Sequence, residues 1–153
     1  MDLPITAPAG PVAVSACLLG HPCRFDGTSH LNEKVVAIGN TRQLVPICPE
    51  ALGGLPTPRP AAEIVVDERG SRRVVDIEGN DITANYAQGA ARALAIALDH
   101  ECGCAILTEK SPSCGCGKVF DGTFTGTLVK GNGITAQLFL DADIPVWPSC
   151  DIL

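Results

Sequence analysis

The chain has 153 residues, 46% of them hydrophobic, which suits one globular unit around one core. A formal charge of −6 would repel a phosphate backbone, and no basic run exceeds Arg72-Arg73, which speaks against nucleic acid as a partner. No apolar stretch approaches the ~20 residues that span a bilayer, and Asp2 with Pro4, Pro8 and Pro11 replaces a basic leader, so the expectation is a cytoplasmic protein with no membrane partner.

Residues 1–10 are rich in Pro and Ala without periodicity and are expected to form a flexible lead-in, with one α/β domain over 11–153. Val12 to Ala16 is a short apolar run that ends in Cys17-Leu18-Leu19-Gly20, and Leu44 to Ile47 is a second that ends in Cys48-Pro49; both fit strands buried on two faces. Between them, Leu31 to Ile38 reads as a short helix closed by Gly39-Asn40. Residues 51–82 open as a loop with fixed turns around Gly53-Gly54, Pro56, Pro58 and Pro60. They continue as an exposed β-hairpin, with Ile64 to Asp67 and Arg73 to Asp76 around Glu68-Arg69-Gly70-Ser71.

Thr83 is expected to cap the strongest helix, running to His100, with Ala87, Ala91, Leu94 and Leu98 at helical spacing. Its Ala content predicts close packing on a sheet. Cys104 to Leu107 reads as a third buried strand leading to the loop of Cys114, and Lys118 to Thr127 as a Gly-rich, β-favouring stretch. A second helix is expected from Ile134 or Thr135 to Ala142 with Leu138 and Phe139 inward, and a fourth strand over Ile144 to Trp147. Strands alternating with helices predict a single-domain, three-layer α/β fold: a mostly parallel sheet, helices on both faces, and the β-hairpin as an insertion.

Ligand sites of such sheets lie beyond the carboxyl ends of the strands, and Cys17, Cys48 and the loop of Cys114 fall at that edge. Three thiols without an evident fourth describe a metal site with a vacancy. Eight cysteines without an export signal point to metal binding, chemistry or packing rather than to disulfides.

Each motif also has a plainer reading. Ser111-Pro112-Ser113-Cys114-Gly115 is either a tight turn whose serines satisfy backbone groups or a site built around a thiol. In Cys48-Pro49-Glu50 the carboxylate either sits solvated at a helix start or, beside a metal, moves protons. Cys17 and Cys23 can both ligate one metal, yet a single cysteine is more often a small buried hydrophobe, and Asp26-Gly27 is a turn signal before it is a substrate contact. Cys102-Gly103-Cys104 leads into a strand with both thiols expected on one side, leaving a second metal site open. Cys104 is expected to pack, Cys150 to be partly exposed, and Cys23 or Cys116 remains eligible as a fourth ligand. His30 and His100 read as structural.

Taken in order, Ser15-Ala16-Cys17-Leu18-Leu19-Gly20, Cys23-Arg24-Phe25-Asp26-Gly27, Cys48-Pro49-Glu50, Gly53-Gly54-Leu55, Pro58-Arg59-Pro60, Ser111-Pro112-Ser113-Cys114-Gly115 and Asp121-Gly122-Thr123-Phe124-Thr125-Gly126 resemble the thiouracil desulfidase (2-thiouracil desulfurase) family. This bacterial family was once known only as a domain of unknown function, and the resemblance runs from about Val12 to Trp147. It implies a 4Fe-4S cluster held by Cys17, Cys48 and Cys114, with one open iron that binds the sulfur of a small thiolated nucleobase. Glu50 would be the catalytic carboxylate and Ser111 would assist it, giving a uracil-type product and sulfide with no net electron transfer. The competing expectation is a non-catalytic metalloprotein, either an iron-sulfur electron carrier or a structural zinc domain. A cysteine enzyme using a free thiol is the weaker third, and a monomer and a dimer are both open.

Overall fold

The computed structural model describes residues 8–152; most of the expected lead-in, residues 1–7, lies outside them. Residues 8–10 are tied to the body by Arg42, whose guanidinium donates to the Pro8 and Gly10 carbonyls at 2.6 and 2.7 Å.

Four strands form a wholly parallel sheet in the order β2-β1-β5-β8: β1 Val12–Ser15, β2 Leu44–Ile47, β5 Cys104–Leu107 and β8 Val146–Pro148. β1 and β5 are buried along their whole length, as continuous apolar strands between two layers must be. On one face Val12, Val14, Cys104 and Ile106 pack with Val35 and Ile38 of α1 (Glu33–Ile38). On the other, Ala13, Ile47, Ala105 and Leu107 pack with Ala93 and Ala97 of α3 (Thr83–Asp99) and with Ala136 and Phe139 of α4 (Ile134–Asp141). The fold is therefore the expected three-layer α/β architecture.

Several local expectations change. α1 starts two residues later than expected, because the Asn32 carboxamide caps it by accepting the N–H groups of Lys34 and Val35. Thr83 does not cap α3. Its hydroxyl accepts the N–H of Val74 at 2.9 Å and pairs with Asp81 Oδ1 at 2.6 Å, joining the hairpin to the helix. The buried stripe of α3 is Tyr86, Gly89, Ala90, Ala93 and Ala97, while Ala87, Ala91 and Leu98 face solvent. In a helix this rich in alanine, more than one series has helical spacing, and the face with the smallest side chains wins because it lets neighbouring backbone approach.

That approach is closest at a short helix, α2 (Pro49–Leu52), which begins with Pro49 at its first position and runs into residues 51 and 52, where a loop is expected. A Cβ on Gly89 would collide with the Pro49 carbonyl, and one on Gly53 with the Asn85 carbonyl. Gly89→Ala gains about 1 kcal/mol of helix propensity but must move backbone, an overpacking cost of about 1–3 kcal/mol. The clash wins: the variant is expected to melt at a lower temperature than the parent, as thermal unfolding followed by circular dichroism will show.

The hairpin β3 (Ala62–Val66) and β4 (Arg72–Asp76) is not simply exposed. Ile64 and Val74 are buried against Tyr86 and against Val119 of β6 (Lys118–Phe120), which pairs antiparallel with β7 (Leu128–Lys130). Burial alternates along β4, with Val74 and Asp76 buried and Arg73 exposed, and Val74 carries that face into the apolar core. Within the last helix Phe139 is fully buried but Leu138 only half so. Cys102 and Cys104 do not point the same way. Cys102 sits in the turn before β5, where the two-residue alternation does not yet apply, and packs on the α3 and α4 side, whereas Cys104 packs on the α1 side.

Candidate active site

In the order β2-β1-β5-β8 the chain runs from β1 to one side and later returns on the other, so the topological switch point lies between β1 and β5. Crevices for ligands form there, beyond the carboxyl ends. The ends of the two strands are tied directly, because Ser15 Oγ of β1 accepts the N–H of Thr108 after β5 at 2.9 Å.

Above this tie opens a cavity of about 340 Å³ whose walls include Cys17, Cys23, Cys48 and Cys114 together with Glu50 and Ser111. Every residue selected for the site thus reaches one cavity, from three separate connections. Cys17 follows β1 in a 3-10 turn, Ala16–Leu19, that ends at Gly20 with φ of 96°, a left-handed turn glycine permits. The chain then folds back over it, with His30 N–H bound to the Cys17 carbonyl at 2.8 Å. Cys48 is the last residue before α2. Cys114 is held by Ser111, whose Oγ accepts the N–H groups of Ser113 and Cys114 at 3.1 and 2.7 Å. Ser111 therefore builds the turn, the plainer of the two readings of Ser-Pro-Ser-Cys, and it also lines the cavity, with its own hydroxyl hydrogen still to donate. Ser113 is fully buried and pairs with Thr135 at 2.8 Å, anchoring the loop to α4.

The thiols sense one another. Cys23 lowers the Cys17 thiol by hydrogen bonding, with Thr108 adding to the effect. Cys48 is pushed up, first by its bond with Cys23 and then by burial. Burial pushes Cys114 up to about 12, against relief from Ser15 and Ser113. Among the described residues no three His, Cys, Asp or Glu side chains converge tightly enough to chelate a single ion. Soft thiols spread over the walls of an open cavity suit instead a multi-iron cluster, which takes each thiolate on a different iron.

Glu50, in the first turn of α2, is ion-paired with Arg59, whose side chain is only 4% exposed. Arg59, Thr108, Tyr86 and Phe120 also line the cavity, and sequence reasoning assigns them no role. Only Arg59 leaves a sequence signal: an arginine between two prolines, close in the chain to a lone glutamate, needs a partner if it is buried. His30, expected to be merely structural, stands on the cavity wall with Nδ1 3.5 Å from Thr108 Oγ1. Asp26 is a turn residue, as its sequence suggested, accepting from the Thr28 amide and hydroxyl. Of the remaining cysteines, Cys104 is fully buried, Cys150 is exposed, and Cys116 lies outside the cavity lining, donating to the Val146 carbonyl at 3.8 Å.

Known proteins match this chain over most of its length. Residues 12–150 match the family described as 2-thiouracil desulfurase. The chain belongs to the 2-thiouracil desulfurase family. It is 40% identical over 136 residues to the uncharacterized protein YbbK of Bacillus subtilis strain 168, covering 86% of this chain and 90% of that one. Its structure is similar to that of TudS, a 4Fe-4S-dependent thiouracil desulfidase, with a TM-score of 0.82 and 40% identity over 92% of this chain and 91% of that one. Membership of the desulfurase family supports an enzyme over the electron-carrier and zinc-domain alternatives. Among the described residues, no helix is long and apolar enough to cross a membrane.

Proposed function

We propose that the protein hydrolytically desulfurates 2-thiouracil or a related small thiolated nucleobase, releasing a uracil-type product and sulfide. The observation that carries this reading is the meeting of Cys17, Cys48 and Cys114 with Glu50 and Ser111 in one cavity at the sheet's switch point. Cys17, Cys48 and Cys114 would hold the 4Fe-4S cluster, leaving one iron without a protein ligand. Such an open iron is thiophilic and Lewis-acidic, and supplies polarisation of the substrate's C=S bond.

The chain's own residues supply the rest. Glu50 accepts a proton from water as the water oxygen adds to the carbon of C=S, and returns it to the departing sulfur or a ring nitrogen. The thiocarbonyl and one water thereby become a carbonyl and hydrogen sulfide. Ser111, its oxygen already committed to two backbone N–H groups, donates its hydrogen to orient substrate or water. Tyr86 is pushed up by burial and then by Glu50, and stays a protonated wall of the cavity. All eight cysteines are free thiols, which supports a reducing, cytoplasmic setting.

The test is anaerobic reconstitution with iron and sulfide. Reconstituted protein should turn brown, with about four irons per chain as a 4Fe-4S cluster requires, and should release sulfide from 2-thiouracil without added reductant. A colourless, iron-free preparation with full activity would sink the proposal.

A further inference from the structure

Arg59 has a different relation to the site from the other cavity residues. All five of its guanidinium N–H donors are spent on protein: Nε and Nη2 both on Glu50 Oε2, Nη2 also on the Cys23 carbonyl at 3.0 Å, and Nη1 on the Pro56 carbonyl and Thr57 Oγ1 at 3.1 and 3.0 Å. None is left for a substrate. Its own backbone N–H donates to the Phe25 carbonyl at 2.7 Å, so the residue ties the Cys23 to Phe25 loop to α2. Both guanidinium contacts to the carboxylate fall on the same oxygen. Among the described residues Oε1 of Glu50 has no protein donor, and no buried side-chain oxygen lacks a partner, so Oε1 is open to the cavity.

We infer that Arg59 is a positioning residue for the desulfuration: by clamping Oε2 it presents a single oxygen, Oε1, of Glu50 to the reacting water. The inference rests on the proposed role of Glu50. The fork geometry is needed, because a lysine ammonium is a point charge that cannot hold Nε and Nη contacts to a carboxylate and still reach two carbonyls. A carboxylate freed from the clamp rotates about its side-chain bonds, and misplacement of this kind is read in turnover rather than in affinity.

The experiment compares Arg59→Met, Glu50→Gln and the double variant as reconstituted proteins, reading iron content, visible absorption, kcat and KM for sulfide release from 2-thiouracil. The expected result is Arg59→Met with its cluster intact, KM within about threefold of the parent, and kcat down about 100-fold or more, the scale of losing a positioned proton acceptor. The double variant should be no slower than Glu50→Gln alone, since Arg59 acts through Glu50. A purely structural role predicts instead that the two losses multiply. Should Arg59→Met be insoluble, Arg59→Lys carries the same comparison and should keep the cluster while losing at least about tenfold in kcat. Multiplying losses, or an Arg59 variant with the parent's kcat beside an impaired Glu50→Gln, overturns the inference and leaves the proposed function standing. A fully active Glu50→Gln overturns the inference together with the proposed role of Glu50, while desulfuration itself stands.

Discussion

Cys48→Ser is expected to give protein that reconstitutes with little iron, stays nearly colourless and releases no measurable sulfide from 2-thiouracil. Serine is nearly isosteric but its hydroxyl is a hard donor that remains protonated near neutral pH, whereas a cluster needs a soft thiolate. Two thiolates from Cys17 and Cys114 would then face a cavity wall with a missing corner. The fold itself should survive, since Cys48 sits at a strand end, only part-buried, and its thiol makes no contact stronger than a 3.9 Å approach to the Cys23 carbonyl. Circular dichroism should match the parent. Cys23 complicates the experiment usefully, because it lines the same cavity as Cys17 and Cys48. The full loss is therefore best measured with Cys23→Ala added, and retention of iron only when Cys23 is present would identify that thiol as a substitute ligand. Full iron content in the double variant would contradict the assignment of Cys48.

Glu50→Gln should separate chemistry from assembly. The cluster-binding thiols are untouched, so iron content and brown colour should equal the parent's, while kcat falls by about 100- to 10,000-fold, the span of a positioned general acid or base. The substitution is close to isosteric and keeps an oxygen for the Arg59 fork, but a neutral amide cannot accept the proton. It also leaves a guanidinium that is 4% exposed without its counter-charge. Breaking a buried pair in this way costs about 3–5 kcal/mol, so a lower melting temperature is expected alongside the slower rate. Activity should be compared well below that temperature, where the folded fraction is complete. An unchanged kcat with intact cluster would remove Glu50 from the reaction.

Burial explains why some of the site is legible in the sequence and some is not. Cys17, Cys48 and Cys114 stand out because each follows an apolar run, and such runs in a parallel sheet end at the edge where ligands bind. β1 and β5 are buried on both faces as expected, whereas β2 is the edge strand and buries only Val45 and Ile47, leaving Pro46 exposed. The face of α3 is misjudged for the opposite reason. Alanine-rich helices carry little hydrophobic contrast, and the deciding contacts, Gly89 against Pro49 and Gly53 against Asn85, join segments that the sequence does not pair. The hairpin reads as exposed because its polar residues are conspicuous. Yet Glu63 is buried, holding the Gly122 and Phe124 N–H groups at 2.9 and 3.1 Å.

The sequence alone determined the alternation of strands and helices, hence a parallel sheet, and the chemistry at its edge, because periodicity and residue type are local properties. Only the tertiary structure decided which thiols share a cavity. Cys23 joins Cys17, Cys48 and Cys114 there, while Cys116 is turned away toward Val146. It also made Arg59 the partner of Glu50. Their side chains meet because α2 is drawn against α3 and the loop of residues 56–59 folds back beneath it, a convergence that no spacing along the chain encodes.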